Sequence, residues 1–354
     1  MDKDGRFADD VANPQGILGA MEQYGLDITR VERLKKGHNN EHFVVQADGR
    51  PYVLRRYRQS SWGAGRRVRT TQSIQYEHDV LEHAAGRGIP CVPALRNRGG
   101  DTISHQDGGL YALFEFRDGQ TYVKDASAGV EAARLLAKFH RAMADFGPRQ
   151  RPHRGYRPRL GDWFGECESL GQAGEILEWA TTLQGQTDTQ RYIGEHAAVM
   201  QDALRILHEE VPGWLYADRQ PVVNHGDYYY ANLGWSGGQI VTVYDFDECV
   251  LDHPMLDVSL LAFMYASGGK PQMDFDVVAP IIAAYRQGNE LSPPEVSLLP
   301  YFVAAHMLHI AIAIAGVVRA RPDGDKRWLL GVHVELVGYL MGNRRELSQR
   351  LGQL

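Results

Sequence analysis

The period of the apolar residues shifts along this chain from mostly strand-like to mostly helical, and that shift limits the possible architecture more than any other feature. In the first third, apolar residues come in short runs. Residues 28–34, 41–46, 52–57 and 110–116 read as strands, and Ala47-Asp48-Gly49-Arg50 reads as the turn between the second and third. One helical stretch, 73–85, interrupts them. Ile74, Glu77, Leu81 and Ala84 recur at helical spacing, Ser73 is placed to cap the start, and Gly86 and Gly88 end it. From residue 126 onward the period is helical. Residues 132–144 carry Leu135, Leu136, Phe139 and Met143 on one broad face, and 174–184, 190–210, 276–287, 295–319 and 327–351 repeat the pattern. A β-like island at 222–224, 233–235 and 240–244 breaks the helical part. The expectation is an α+β chain with a small β-rich lobe, 1–117, and a larger helical lobe, 118–354, joined near Glu115 to Gly119.

Composition excludes several classes. The chain has 354 residues, 44% of them apolar and 23% charged, which is a globular balance with enough apolar material for a sizeable core. Its net charge of -6 leaves no chain-wide basic surface for nucleic acid. The run Arg66, Arg67 and Arg69 reads as a solvated face. Cys91, Cys167 and Cys249 lack disulfide or zinc spacing and fit a reducing, cytoplasmic setting. The N-terminus, MDKDGRFADD, has no apolar signal-peptide core. The most apolar stretch, 302–318, is short for a membrane span and contains His306 and His309. It reads as a buried helix of a soluble protein. Its two histidines read as core or pocket-lining groups in preference to metal ligands, because no nearby carboxylate completes a cluster.

The β-like island carries the chemistry. It reads His225-Gly226-Asp227-Tyr228-Tyr229-Tyr230-Ala231-Asn232, then a Gly237-Gly238 turn, then Ile240-Val241-Thr242-Val243-Tyr244-Asp245-Phe246-Asp247. Phosphoryl transfer from ATP needs few protein groups. One carboxylate orients the attacking hydroxyl and takes its proton, and one amide and one carboxylate hold magnesium on the phosphates. An Asp, an Asn five residues later and an acid at the end of the next strand supply that set. The hairpin turn returns the third member to the first two.

These motifs resemble the catalytic and metal motifs of the aminoglycoside phosphotransferase and choline kinase-like family, which has the protein-kinase-like fold. The resemblance spans about residues 28 to 265. It implies ATP and magnesium as cofactors, Asp227 as general base, and Asn232 and Asp245 as magnesium ligands. It makes His225 a scaffold residue and Asp257 a support for the loop. Lys35 to Phe43 is similar to the family's phosphate-covering loop, with Gly37 and Asn40 at the phosphates. Arg55 stands where the family usually has a phosphate-binding lysine, and Glu77 matches the acid that pairs with that cation. Backbone groups of Glu115 and Arg117 would meet adenine. His140 and Phe139 match a core element of the first large helix.

The implied function is transfer of the γ-phosphate of ATP to a hydroxyl of a small molecule. The acceptor would be an antibiotic of the aminoglycoside or nucleoside type, or a sugar. The alternative acceptor is homoserine or another amino alcohol. A nucleotide-binding pseudokinase or interaction module is the alternative from another class, and loss of Asp227, Asn232 or Asp245 would have favoured it. Asp247, Tyr228 and Glu248 are candidates for contact with the acceptor, the acids by attracting a cation and the tyrosine by stacking; Asp247 reads equally as a metal contact or as a hydrogen-bond partner of the loop. Three tyrosines in a row cannot all face one pocket. The expected partners are a small hydroxyl compound and no nucleic acid or membrane, for a monomer or homodimer.

Overall fold

A computed structural model describes residues 6–8, 10, 11, 13–34, 40–57, 70–147, 173–185, 187–217, 219–320 and 326–354. Gly37, Cys167 and the run at Arg66, Arg67 and Arg69 lie outside the described residues.

Helix α1 (Pro14–Glu22) opens the small lobe, with Pro14 in its first turn and the Asn13 side chain accepting from Gly16 N–H. Strands β1 (Ile28–Leu34), β2 (Glu41–Ala47) and β3 (Arg50–Tyr57) follow. Asp48 and Gly49 both have positive φ, 49° and 73°, so β2 and β3 are joined by the mirror-image turn that matches strand twist. Helix α2 (Thr71–Gly86), β4 (Ser104–Gln106) and β5 (Gly109–Glu115) complete the lobe, and the antiparallel sheet runs β1-β2-β3-β5-β4. Both sheet faces are covered. Phe43, Val45, Leu54, Tyr111 and Leu113 pack towards α1, while Tyr57, Ala112 and Phe114 join the cluster that includes Ile74 and Leu81 of α2. That is why β5 reads as a continuous apolar run.

The large lobe begins with α3 (Ala126–Ala142), α4 (Ala173–Thr181), α5 (Asp188–Glu210) and α6 (Trp214–Ala217). Short strands β6 (Val222–Asn224), β7 (Leu233–Ser236), β8 (Gln239–Val243) and β9 (Val250–Asp252) come next. Helices α7 (Met255–Ser267), α8 (Phe275–Arg286), α9 (Pro293–Ser297), α10 (Leu299–Ala320) and α11 (Arg327–Leu351) close the chain. Helix α10 alone among the described helices is long and apolar enough to cross a membrane. It lies mostly buried against α4, α5, α7 and α11, as a core helix does.

Several details depart from the expectations. Thr70 caps α2, and Ser73 is the third helical residue of a reciprocal capping box. The stretch 295–319 is two helices. Ser292 and Glu295 form a capping box for α9, and the chain breaks at Leu298 before α10. Helix α7 was not anticipated because it is buried all round and shows no amphipathic stripe. Strand β6 pairs with β9, and β7 with β8, so the island is two separate ladders.

Candidate active site

The turn after β6 is held from below by one buried carboxylate. Asp257, in the first turn of α7, accepts from His225 N–H at 2.6 Å and from Gly226 N–H at 2.8 Å, one bond to each oxygen. His140 of α3 approaches the same carboxylate at 3.3 Å and meets the Tyr285 hydroxyl at 2.7 Å through its other nitrogen. His225 is buried and locks the turn sideways. Its Nε2 lies 2.8 Å from the Tyr244 carbonyl, which can only accept, so Nε2 carries the proton. Nδ1 is then free to accept from Asp227 N–H at 3.3 Å. Burial lowers the His225 pKa and keeps the ring neutral, despite the nearby charge of Asp257. Gly226 is required twice over. Its φ is +84°, and a Cβ there would sit 2.2 Å from the Glu248 carbonyl oxygen.

This frame delivers Asp227 to the cleft, with 29% of its side chain exposed. Asn232 donates from Nδ2 to the Asp227 carbonyl at 2.8 Å and to Asp227 Oδ2 at 2.9 Å. The Asn232 carbonyl accepts from Tyr244 N–H at 2.8 Å, so the end of β8 lies against the same loop. Asp245 then turns sharply, at φ 60° and ψ 63°, a left-handed conformation that aspartate tolerates better than most residues. Burial first, then the charges of Asp245 and Glu248, push the Asp227 carboxyl up to about 8, against the opposing hydrogen bond from Asn232. Asp227, Asn232 and Asp245 therefore meet at one corner.

The small lobe contributes a cation. Arg55 on β3 lies between two buried acids, with Nη1 2.6 Å from Glu77 Oε1 and 2.7 Å from Asp247 Oδ1. Its Nε donates to His42 Nε2 at 3.0 Å, which only a neutral imidazole permits. Asn40, just before β2, donates to the other Asp247 oxygen. A lysine could not serve these partners at once, whereas a guanidinium has five donors in a fixed fork. Burial opposes the Arg55 charge, and Asp247 and Glu77 overcome that penalty, so its pKa is raised well above the ordinary value.

Glu115 and Arg117 lie at the exposed end of β5, where their side chains pair at 3.2 Å. The connector continues close to β7. A Cβ on Gly119 would come within 2.8 Å of Gly234 Cα, and Gln120 and Trp235 exchange two backbone hydrogen bonds. The Tyr244 hydroxyl donates to the Arg117 carbonyl, which ties the lobe connector to the strand before Asp245.

A family model described as the phosphotransferase enzyme family matches residues 30–297. This chain belongs to that family. The homoserine kinase of Methylobacterium nodulans is 23% identical over 291 residues, 81% of each chain. The solved microcompartment-associated aminopropanol kinase superposes with a TM-score of 0.67 at 17% identity, covering 94% of this chain and 97% of its own. A spectinomycin phosphotransferase solved with ADP and spectinomycin has a TM-score of 0.66 at 12% identity, covering 98% and 100%. At these identities the solved structures show the fold, which is the expected bilobal, protein-kinase-like one.

Two expectations about this phosphotransferase are corrected. Tyr228 does not face the cleft. It is buried, and its hydroxyl donates to the Ala132 carbonyl inside the large lobe. Tyr229 is the tyrosine at the site. Burial first, then the charge of Asp227, raises its hydroxyl pKa. Asp247 is not placed for an acceptor either, because Arg55 and Asn40 hold its carboxylate in the seam between the lobes. Glu248 stays near Asp227, half-buried. One residue at the site was noticed in the sequence without its partner. His306 Nε2 stands 3.9 Å from Asp227 Oδ1. Only the long return of α10 across the large lobe joins them, and no spacing rule spans that distance.

Proposed function

We propose that this phosphotransferase moves the γ-phosphate of ATP to a hydroxyl of a small molecule, with Asp227 as the base. Residues 1–117 hold the nucleotide, and 118–354 carry the base, the metal site and the acceptor pocket. The observation that carries this reading is the Asn232 amide donating to Asp227 Oδ2 at 2.9 Å, beside Asp245. With Nδ2 committed to Asp227, the Asn232 side-chain oxygen is left as an acceptor, and an amide oxygen with the Asp245 carboxylate would make a hard, all-oxygen donor set. Such a set suits magnesium, which keeps waters and phosphate oxygens in its remaining positions. Bound there, magnesium would supply positive charge to the transferring phosphoryl group and favour the ionised form of Asp227.

The chain's own groups do the rest. Asp227 orients the acceptor hydroxyl and takes its proton as the oxygen–phosphorus bond forms and the bond to the ADP oxygen breaks. Asn232 fixes the rotamer of Asp227. Arg55, aligned by Glu77, faces the phosphates, and Gly37 with Asn40 would cover them. Glu115 and Arg117 offer backbone groups to adenine. ATP use is supported by related structures named with ADP or a non-hydrolysable ATP analogue.

An amino alcohol is the favoured acceptor class. Asp245 and Glu248, whose charges reach Asp227, would attract an ammonium group to this end of the cleft. Homoserine kinases recur among the relatives. The test is ADP release with magnesium and ATP against homoserine, aminopropanol, aminoglycosides, spectinomycin, nucleosides and sugars. Asp227→Ala should abolish turnover and retain nucleotide binding. Full activity in that variant sinks the assignment. Nucleotide binding without turnover on any acceptor or on water would favour a pseudokinase.

A further inference from the structure

We propose that His306 is an acceptor-binding residue that holds the attacking hydroxyl against Asp227. This rests on the phosphotransfer reading above and adds a residue from a different part of the fold. The 3.9 Å between His306 Nε2 and Asp227 Oδ1 is too long for a direct hydrogen bond. It is the right width for one oxygen to bridge. An oxygen ~2.8 Å from each atom, an ordinary hydrogen-bond length, sees the two at an angle of ~90°. That is within reach of a tetrahedral oxygen.

The two partners order such an oxygen in one direction. Ionised Asp227 can only accept, so the hydroxyl proton points to it. The Nε2–H of His306 donates to one lone pair. The second lone pair is left for phosphorus. During transfer the new oxygen–phosphorus bond forms, the bond to the ADP oxygen breaks, and the hydroxyl proton passes to Asp227. His306 exchanges no proton. A carboxylate acceptor has no proton to give and would be repelled by Asp227, so this arrangement selects alcohols.

The support for His306 is rigid. Its neighbours along α10, from Leu299 to Ala305 and at Met307 and Leu308, are buried, whereas its own side chain is 17% exposed. Helix α10 is packed on α5, α7 and α11, so Nε2 is presented by a core helix and not by a loop. Locating one reacting oxygen between two fixed groups is the kind of positioning that raises kcat more than it tightens binding.

The test uses the full chain with magnesium, ATP and water as the acceptor, since water can occupy the same bridge. It is repeated with any alcohol that turns over. His306→Leu should lower kcat for ADP release by roughly ten-fold or more, the effect of losing one hydrogen bond at the reacting centre, with KM for ATP little changed. His306→Gln puts an amide donor near the Nε2 position and should recover much of the loss. His306→Asn is equally polar but places its amide where Nδ1 stands, and should remain impaired. Wild-type turnover in His306→Leu, or equal losses in the Gln, Asn and Leu variants with unchanged melting temperature and nucleotide affinity, would overturn the proposal. If the wild-type chain itself binds nucleotide yet releases no ADP, the phosphotransfer reading falls, and this proposal falls with it.

Discussion

Arg55 and Asp247 form a buried ion pair, Nη1 to Oδ1 at 2.7 Å, that joins the central strand of the small lobe to the turn just after Asp245. Because Glu77 holds the same nitrogen at 2.6 Å, one guanidinium couples α2, β3 and the turn after Asp245. Replacing one partner of a buried pair leaves the other charge without compensation, at about 3–5 kcal/mol. Asp247→Ala should therefore lower unfolding stability by roughly that amount in a urea titration. Arg55→Lys should raise KM for ATP with a smaller loss of stability, because a lysine cannot reach both acids and His42. Equal stability in Asp247→Ala and wild type would show that the pair contributes nothing.

Asp257 acts on the reaction only through the turn it supports. Asn at 257 keeps the shape but presents an NH2 group to a backbone N–H that now meets an oxygen. Asp257→Asn should reduce kcat by about 10- to 100-fold while KM for ATP changes little, as expected for misplacing a base by a fraction of an ångström. A steady-state comparison of the two constants checks this. A rise in KM for ATP at unchanged kcat would contradict it.

Gly226→Ala meets a barrier that local repacking cannot remove. The obstacle is the Glu248 backbone, 2.2 Å from the added carbon, and the φ of +84° disfavours any side chain. The variant should lose activity and at least about 2 kcal/mol of stability. Near-wild-type melting with intact ADP release would mean that the turn between β6 and Asp227 is less constrained than its geometry implies.

Acid sensitivity should arise far from the site. Arg344 on α11 grips Glu210 at the end of α5 with two hydrogen bonds, at 2.7 and 2.5 Å, and Tyr301 of α10 adds a third at 2.9 Å. The Arg344 hydrogen bonds, against the opposing effect of burial, hold the Glu210 carboxyl at about 2, below its ordinary value of 4.5. A depressed carboxylate pKa means the folded state binds fewer protons than the unfolded one. Its contribution is thus complete above pH 4.5 and is lost as pH falls towards about 2. The pair is partly open to solvent, so its contribution is discounted to about 1–2 kcal/mol. The gap between the melting temperatures of wild type and Glu210→Gln should be full at pH 7, narrow below pH 4.5 and close only near pH 2. A gap that is constant across that range would place the effect elsewhere.

Much of the site was legible in the sequence because its members lie close along the chain. Asp227 and Asn232 share one loop, and a single hairpin carries the chain on to Asp245, so local spacing sufficed to group them. Glu77 and Arg55 were legible through a resemblance, and the buried pair between them is present. Tyr228 and Asp247 were misjudged for a common reason. A loop sequence does not say which way each side chain turns, and the acceptors that captured them, Ala132 and Arg55, come from other elements.

By itself, then, the sequence determined the order of the strand-rich and helical parts, four of the five strands of the small sheet, all but β4, and the grouping of Asp227, Asn232 and Asp245 along the chain. Those follow from hydrophobic period, turn chemistry and short-range spacing. The tertiary structure alone decided that Asp247 joins Glu77 on Arg55, that Tyr228 turns into the large lobe, and that His306 stands 3.9 Å from Asp227. Each of those depends on packing between elements distant in sequence. Core packing sets such distances, and no local pattern of residues encodes them.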